Sequence, residues 1–231
     1  VSSKVTLREK AIKTGNRKSS LFVYKIVASL LKVTVRPWVR MKAQGQENLD
    51  LSGSTILAPT HRSHLDSILL ATYSKRRIRA LGKESLFKVP VLSYFCAALG
   101  AIPVRRGQAD RDSMKAAQEL LDSGETMIVF PEGGRQSGNE IAECFDGPSW
   151  LASKTGAQVI PIGIVGTEKA FGPNSKFIRR SNVVMVVREP IKIPDPVNGK
   201  RHKREELAEF TEQIRSEMQL AQDRAAVIQQ G

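Results

Sequence analysis

Ser54-Thr55-Ile56-Leu57-Ala58-Pro59-Thr60-His61-Arg62-Ser63-His64-Leu65-Asp66 decides how this chain is read. The apolar run Ser54 to Ala58 predicts a buried strand that ends near Pro59. The chain then turns through His61 and Arg62, and a helix runs from about His64 to Tyr73. Ser63 serves as its N-cap, and Asp66 falls in the first turn, where a carboxylate is favoured. In one continuous helix His61 and Asp66 would lie five residues and about 140° apart and would not meet. A strand–turn–helix lets Asp66 fold back and accept a hydrogen bond from one ring nitrogen of His61. The other nitrogen is then free to take a proton from a hydroxyl. His64 competes for this role but sits on the helix itself. A His-x4-Asp spacing alone is weak, and an ordinary capped helix start explains it equally well.

Working outward, strands are predicted at Ile78 to Leu81, Ile102 to Val104, Thr126 to Phe130, Val159 to Val165 and Val183 to Val187. Between them, Leu86 to Leu99 predicts a bent or two-part helix because of Pro90. Arg111 to Leu121 has helical composition, and Pro148 to Thr155 is a short helix capped by Gly156. The longest helix is Arg204 to Ile228, where Leu207, Phe210, Ile214 and Met218 keep helical spacing. This alternation predicts an α/β fold with a mixed, largely parallel sheet flanked by helices.

The net charge of +13 is concentrated at one end. Residues 1–45 hold eleven Lys and Arg against the single acid Glu9, a net +10, so the rest of the chain carries only +3. The charge divides the chain into a basic amphipathic arm, 1–45, and a nearly balanced domain, 46–231. Within the arm, Leu21 to Val35 is shorter than the roughly twenty apolar residues of a spanning helix and contains Lys25 and Lys32. On a helical projection Leu21, Phe22, Ile26, Leu30 and Val33 share one side, the pattern of an N-terminal amphipathic helix lying on an anionic membrane surface. A core helix followed by a solvated tail is the alternative. Nucleic acid is disfavoured, because the arm lacks interleaved aromatics and no reader motif appears. Cys96 and Cys144 show no metal-ligand spacing and fit a reduced compartment.

Two further segments suit an anion. Gly100 to Arg106 ends a short apolar run in Arg105 and Arg106. Phe130-Pro131-Glu132-Gly133-Gly134-Arg135 ends a strand in a turn whose glycines permit close backbone approach. Arginines at strand ends offer paired, charge-assisted hydrogen bonds to phosphate. Glu132 is placed to bind a hydroxyl or to hold Arg135. Singly, each segment also reads as a solvated loop or a tight turn.

Together, in this order, the segments resemble those of the glycerolipid acyltransferases, above all the bacterial 1-acylglycerol-3-phosphate acyltransferases. His61 and Asp66 match the His-x4-Asp block, Gly100 to Arg106 the second block, and Phe130 to Arg135 the Phe-Pro-Glu-Gly-x-Arg block. Val159-Ile160-Pro161-Ile162-Gly163 resembles the fourth. Lys83 to Leu86 and Phe145-x-Gly147 also have counterparts. Thr60, Arg62, Gly134 and Gln136 depart from the commoner residues. The resemblance implies transfer of an acyl chain from a thioester, acyl-coenzyme A or acyl carrier protein, to 1-acylglycerol 3-phosphate, making phosphatidic acid. It makes His61 the base and Asp66 its orienter. Arg105, Arg106 and Arg135 bind the acceptor phosphate, and Glu132 and Gly133 shape that pocket. It implies no cofactor, no metal and no acyl-enzyme, and a monotopic or peripheral place on the cytoplasmic face of the cell membrane. The alternatives are another acceptor (glycerol 3-phosphate, or a glycosylated or amino-acid lipid) or a non-catalytic lipid-binding protein.

Overall fold

Thr6 and Glu9 form a reciprocal capping box, each side chain accepting the other residue's backbone N–H, and α1 (Leu7–Gly15) follows. Next comes α2 (Lys18–Trp38), longer than the predicted segment at both ends. Then follow β1 (Lys42–Gln44), β2 (Thr55–Pro59), α3 (Leu65–Ala71), β3 (Ile78–Lys83), α4 (Pro90–Ala98) and β4 (Ala101–Val104). The remaining elements are α5 (Arg111–Asp122), β5 (Thr126–Ile128), α6 (Gly147–Thr155), β6 (Gln158–Val165), α7 (Thr167–Phe171), β7 (Val184–Val187) and α8 (Arg204–Gln230). This computed structural model describes residues 6–104, 111–173, 175–196 and 201–231.

The seven strands form one sheet in the order β1-β7-β6-β2-β5-β3-β4. All neighbours are parallel except β6 and β7, so the sheet is mixed and largely parallel, as the alternation predicted. Five strands therefore end at the same edge, where loops gather into a crevice. Both faces are covered, and the strands divide their side chains between them with period two. Ile56, Ala58 and Val159 join α5, α6 and α8 on one face. Leu57, Ile160, Ile162 and Ile164 join α3 on the other. Pro161 accepts from Arg188 N at 3.0 Å but has no N–H to return, and the β6–β7 ladder starts one residue later, at Ile162↔Val187. At Gly163 a Cβ would overlap the backbone of Ala221 and Gln222, so glycine sets how closely α8 crosses β6.

Several details differ from the sequence expectation. The segment from Leu86 to Leu99 is in two parts, as expected, but the first is a 3-10 turn over Glu84–Lys88, and Pro90 opens α4 as its first residue, where a missing N–H costs nothing. Helix α1, strand β1 and the short α7 were not foreseen. Strand β5 stops at Ile128, two residues short of Phe130.

The basic N-terminal segment is tied to the sheet. Tyr24 Oη accepts from Ile78 N at 3.2 Å. Arg77 donates to Gly15 O, and Arg79 donates to the Asn16 side chain and to Glu125 Oε1 and Oε2, the last two at 2.6 and 3.2 Å. The other side of this layer is apolar and open: Phe22, Ile26, Leu30 and Val33 on α2 are exposed, as are Val91, Leu92 and Phe95 on α4. Among the described residues no helix is long and apolar enough to cross a membrane.

Burial alone would raise the pKa of Glu125, but the hydrogen bond from Arg79 and the charges of Arg79 and Arg77 outweigh it and bring it down. A lowered carboxylate pKa stabilises the fold above the ordinary glutamate range, and that support is lost as pH falls through the lowered value. Glu125→Gln leaves fully buried Arg79 without its counter-charge. It should cost roughly 2 kcal/mol in urea unfolding at pH 7, less than a fully enclosed pair because Glu125 is partly exposed. The deficit should shrink below pH 4.

Candidate active site

Strand β2 delivers His61 to the sheet edge, and its exit is fixed from both sides. Thr60 is buried; its hydroxyl accepts from Ile164 N at 3.0 Å and contacts Gln222 Oε1 at 3.2 Å, linking β2, β6 and α8. His61 then leaves the sheet with its ring stacked on Phe130, centroids 3.8 Å apart and planes 22° apart. Phe130 lies two residues past the end of β5, so the exits of two neighbouring strands set the ring's plane.

Asp66 folds back as the sequence predicted. His61 Nδ1 lies 3.0 Å from Asp66 Oδ2, with the carboxylate fully buried and the imidazole 18% exposed. The same oxygen accepts from Arg62 N and Ser63 N, both at 2.7 Å. Hydrogen bonds converging on one oxygen hold the carboxylate in place. In the tautomer that carries its proton on Nδ1, toward Asp66, Nε2 is left as the accepting nitrogen. The cap differs from expectation. The assigned N-cap of α3 is His64, one residue later than expected and without a capping side chain, but Ser63 Oγ still accepts from Leu65 N at 3.1 Å. Asp66 reaches back to the N–H groups of Arg62 and Ser63, while Ser63 Oγ donates to Phe171 O at 2.6 Å.

Glu132 stands differently from either role given to it by the sequence. Its side chain is fully buried and its partner is Arg62, not Arg135, with N–O separations of 2.8 and 3.0 Å. Glu132 Oε2 also accepts from His61 N at 3.1 Å, and Oε1 from Ala142 N at 3.2 Å. The Arg62 guanidinium donates further to Gly138 O and Glu140 O, each at 2.9 Å, and to His61 O at 3.2 Å. The pair thus grips the His61 backbone at both its N–H and its carbonyl. Sequence reading noted Arg62 only as a departure from the commoner residue. The available signal was a charge set between residues that had to be buried.

Gly133 is needed where it stands, since φ is +67° and a Cβ would meet the Phe145 ring at 2.6 Å. Arg135 is exposed at the mouth, Nη1 3.0 Å from His64 Nε2. The basic pair Arg105 and Arg106 lies outside the described residues. An apolar cavity of about 170 Å3 opens between α2, α3 and β3, lined by Tyr24, Val27, Leu31, Ile68, Ala80 and Ile128. Ile68 comes from α3, the helix that carries Asp66, and Ile128 is the last residue of β5. Among the described residues, no group of three His, Cys, Asp or Glu is gathered as for a metal. Burial pushes the Cys144 thiol up to about 11, with the Glu132 charge adding to it, and burial also raises Cys96.

Comparison with known proteins agrees with this geometry. The chloroplastic 1-acyl-sn-glycerol-3-phosphate acyltransferase LPAT1 of Arabidopsis thaliana is 28% identical over 179 residues, 76% of this chain and 49% of that one. The chain therefore spans about half the length of this plant relative. The 1-acyl-sn-glycerol-3-phosphate acyltransferase of Bacillus subtilis is 26% identical over 193 residues, 83% of this chain and 93% of that one. The crystal structure of the 1-acyl-sn-glycerophosphate acyltransferase PlsC from Thermotoga maritima superposes with a TM-score of 0.69 at 22% identity, over 90% of this chain and 85% of that one, and shares the fold. The family model described as Acyltransferase matches residues 40–165, a span holding the His61–Asp66 pair, the Arg62–Glu132 pair and Arg135, and the chain belongs to that family.

Proposed function

We propose that the protein transfers a fatty acyl chain from a thioester to the free hydroxyl of 1-acylglycerol 3-phosphate, producing phosphatidic acid. The observation that carries this reading is His61, with Nδ1 held by a buried Asp66 and its ring stacked on Phe130 where β2 leaves the sheet. His61 Nε2 removes the acceptor's hydroxyl proton as the oxygen attacks the thioester carbonyl. Asp66 stabilises the imidazolium that forms. The tetrahedral intermediate collapses with cleavage of the C–S bond, and the imidazolium returns its proton to the departing thiolate. One C–O bond is made and one C–S bond is broken, so the step requires no cofactor and no acyl-enzyme. Acyl-coenzyme A and acyl carrier protein both supply such a thioester.

Arg135, with Arg105 and Arg106, receives the acceptor phosphate as a planar, permanently charged donor. The cavity beside α3 takes part of an acyl chain. Glu132 acts in this scheme as a positioning residue, because both of its oxygens are occupied by Arg62, His61 N and Ala142 N. Both cysteines are bystanders. The exposed faces of α2 and α4 rest on the cytoplasmic face of an anionic membrane, where acceptor and product reside.

In mixed vesicles with labelled acyl-coenzyme A, His61→Ala should lower kcat/KM about 10³-fold, and lysophosphatidic acid should outcompete glycerol 3-phosphate as acceptor. Activity of His61→Ala equal to wild type would remove His61 as the base. Arg135→Ala should raise the acceptor KM with little change in kcat. Glu132→Gln should do the reverse, lowering kcat up to about a hundredfold at unchanged KM by loosening His61. A KM effect in Glu132→Gln would restore it as a substrate ligand. The double variant Cys96→Ser/Cys144→Ser should keep wild-type kcat, and alkylation of Cys144 at pH 8 should run about a hundredfold slower than that of an ordinary thiol.

A further inference from the structure

Helix α2 ends in a Schellman turn: Met41 N donates to Arg36 O at 3.0 Å, and Arg40 N donates to Pro37 O at 3.1 Å. The residue at the left-handed position of such a turn is usually glycine. Here it is Arg40, with φ +42°, the one non-glycine residue at positive φ among those described. A cation therefore stands where the backbone favours a residue with no side chain. That turn brings Arg40 into the same open cleft as Lys32 and Arg36, together with Val33, Pro37 and Met41. The cleft has a volume of about 530 Å3, and no carboxylate lines it. None of the three cations has a salt-bridge partner among the described residues. Arg36 is already oriented, its guanidinium stacked 3.6 Å over the Tyr73 ring.

Three like charges in one cleft repel one another, and the helix terminus offers only about half a negative charge to offset them. An anion with several oxygens relieves that repulsion and suits the guanidinium fork. The cleft rim supplies a second requirement. Val33 is 68% exposed, and Leu30 and Ile26 continue the apolar track along α2. Phosphate on the cations and hydrocarbon along Val33, Leu30 and Ile26 together describe one kind of occupant.

We propose that the carboxyl end of α2 is a binding site for the phosphate headgroup of an anionic bilayer phospholipid, separate from the catalytic His61. Lys32, Arg36 and Arg40 hold the headgroup, and the strained backbone at Arg40 serves to complete the triad. The proposal rests on the membrane-bound reading above and adds to it one discrete lipid site.

The test is co-sedimentation with phosphatidylcholine vesicles with and without 20% phosphatidic acid, at about 0.15 M salt. Arg40→Gly removes the cation and supplies the residue the turn prefers, so its thermal midpoint should match or exceed that of wild type. Its partition onto anionic vesicles should fall about fivefold, and that of Lys32→Gln similarly. Binding to phosphatidylcholine alone should not change. Lys154→Gln removes one charge from α6, on the opposite face of the sheet, and should bind as wild type does. Equal losses in Lys154→Gln and Arg40→Gly would overturn the site in favour of diffuse attraction. Unchanged binding in both Arg40→Gly and Lys32→Gln would overturn it outright. If inorganic phosphate raises the thermal midpoint of wild type but not of Arg40→Gly, while vesicle binding is the same in both, the lipid assignment is overturned in favour of a free anion. Failure of wild-type protein to bind any vesicle would instead reject the membrane-bound reading itself.

Discussion

Arg62 and Glu132 face one another with almost no access to water, and the site depends on how fully their charges are answered. A buried ion pair gains little in stability over apolar packing, but breaking it leaves a charge with no compensation. Here the pair is enclosed by backbone. Arg62 bonds to the carbonyls of Gly138, Glu140 and His61, and Glu132 to the N–H groups of His61 and Ala142. Two loops that follow different strands are therefore held at a fixed separation. His61 sits on one of them and the exposed Arg135 on the other. The placement of His61 follows from this clamp as much as from Asp66.

The fold was readable because a buried parallel sheet writes continuous apolar runs into the sequence. Ile56-Leu57-Ala58 and Val159 to Val165 gave the central strands. What escaped reading was short or held in place from elsewhere. Strand β1 is three residues whose pairing with β7 depends on a partner about 140 positions away. Helix α7 spans five residues and owes its place to packing. The His61–Asp66 contact was legible because a strand–turn–helix leaves a first-turn carboxylate few other places to go. The role of Glu132 was not, since the motif shows which residue types are present and not which one faces inward. The partner that decides this, Arg62, lies seventy positions away. Ser63 sits one residue ahead of the assigned cap, yet its hydroxyl still accepts from Leu65 N at 3.1 Å, while Asp66 takes the N–H groups of Arg62 and Ser63.

The N-terminal segment joins two kinds of surface. Its inner side meets the body through polar ties, Tyr24 to Ile78 and Asn16 to Arg77 and Arg79, and through apolar contacts at Ala11, Val35 and Val39. Its outer side keeps large apolar residues exposed. In a water-soluble protein an exposed apolar stripe of this length invites aggregation unless something covers it. The inner ties keep α2 oriented so that the stripe faces away from the sheet, leaving the cavity beside α3 open between the two.

The pairing of β1 with β7 has a consequence for biosynthesis. Residues 42–44 cannot take their place in the sheet until residues 184–186 exist, whereas α2 is complete once residue 38 has been made. A chain grows from its N-terminus at about 5–20 residues per second, so this interval lasts roughly 7–30 s. During that time the turn after α2 has no β7 to pair with, and α2 can dock only on elements already made, β3 and α3 among them. The edge of the sheet that β1 forms is therefore the part that must wait longest for its partner.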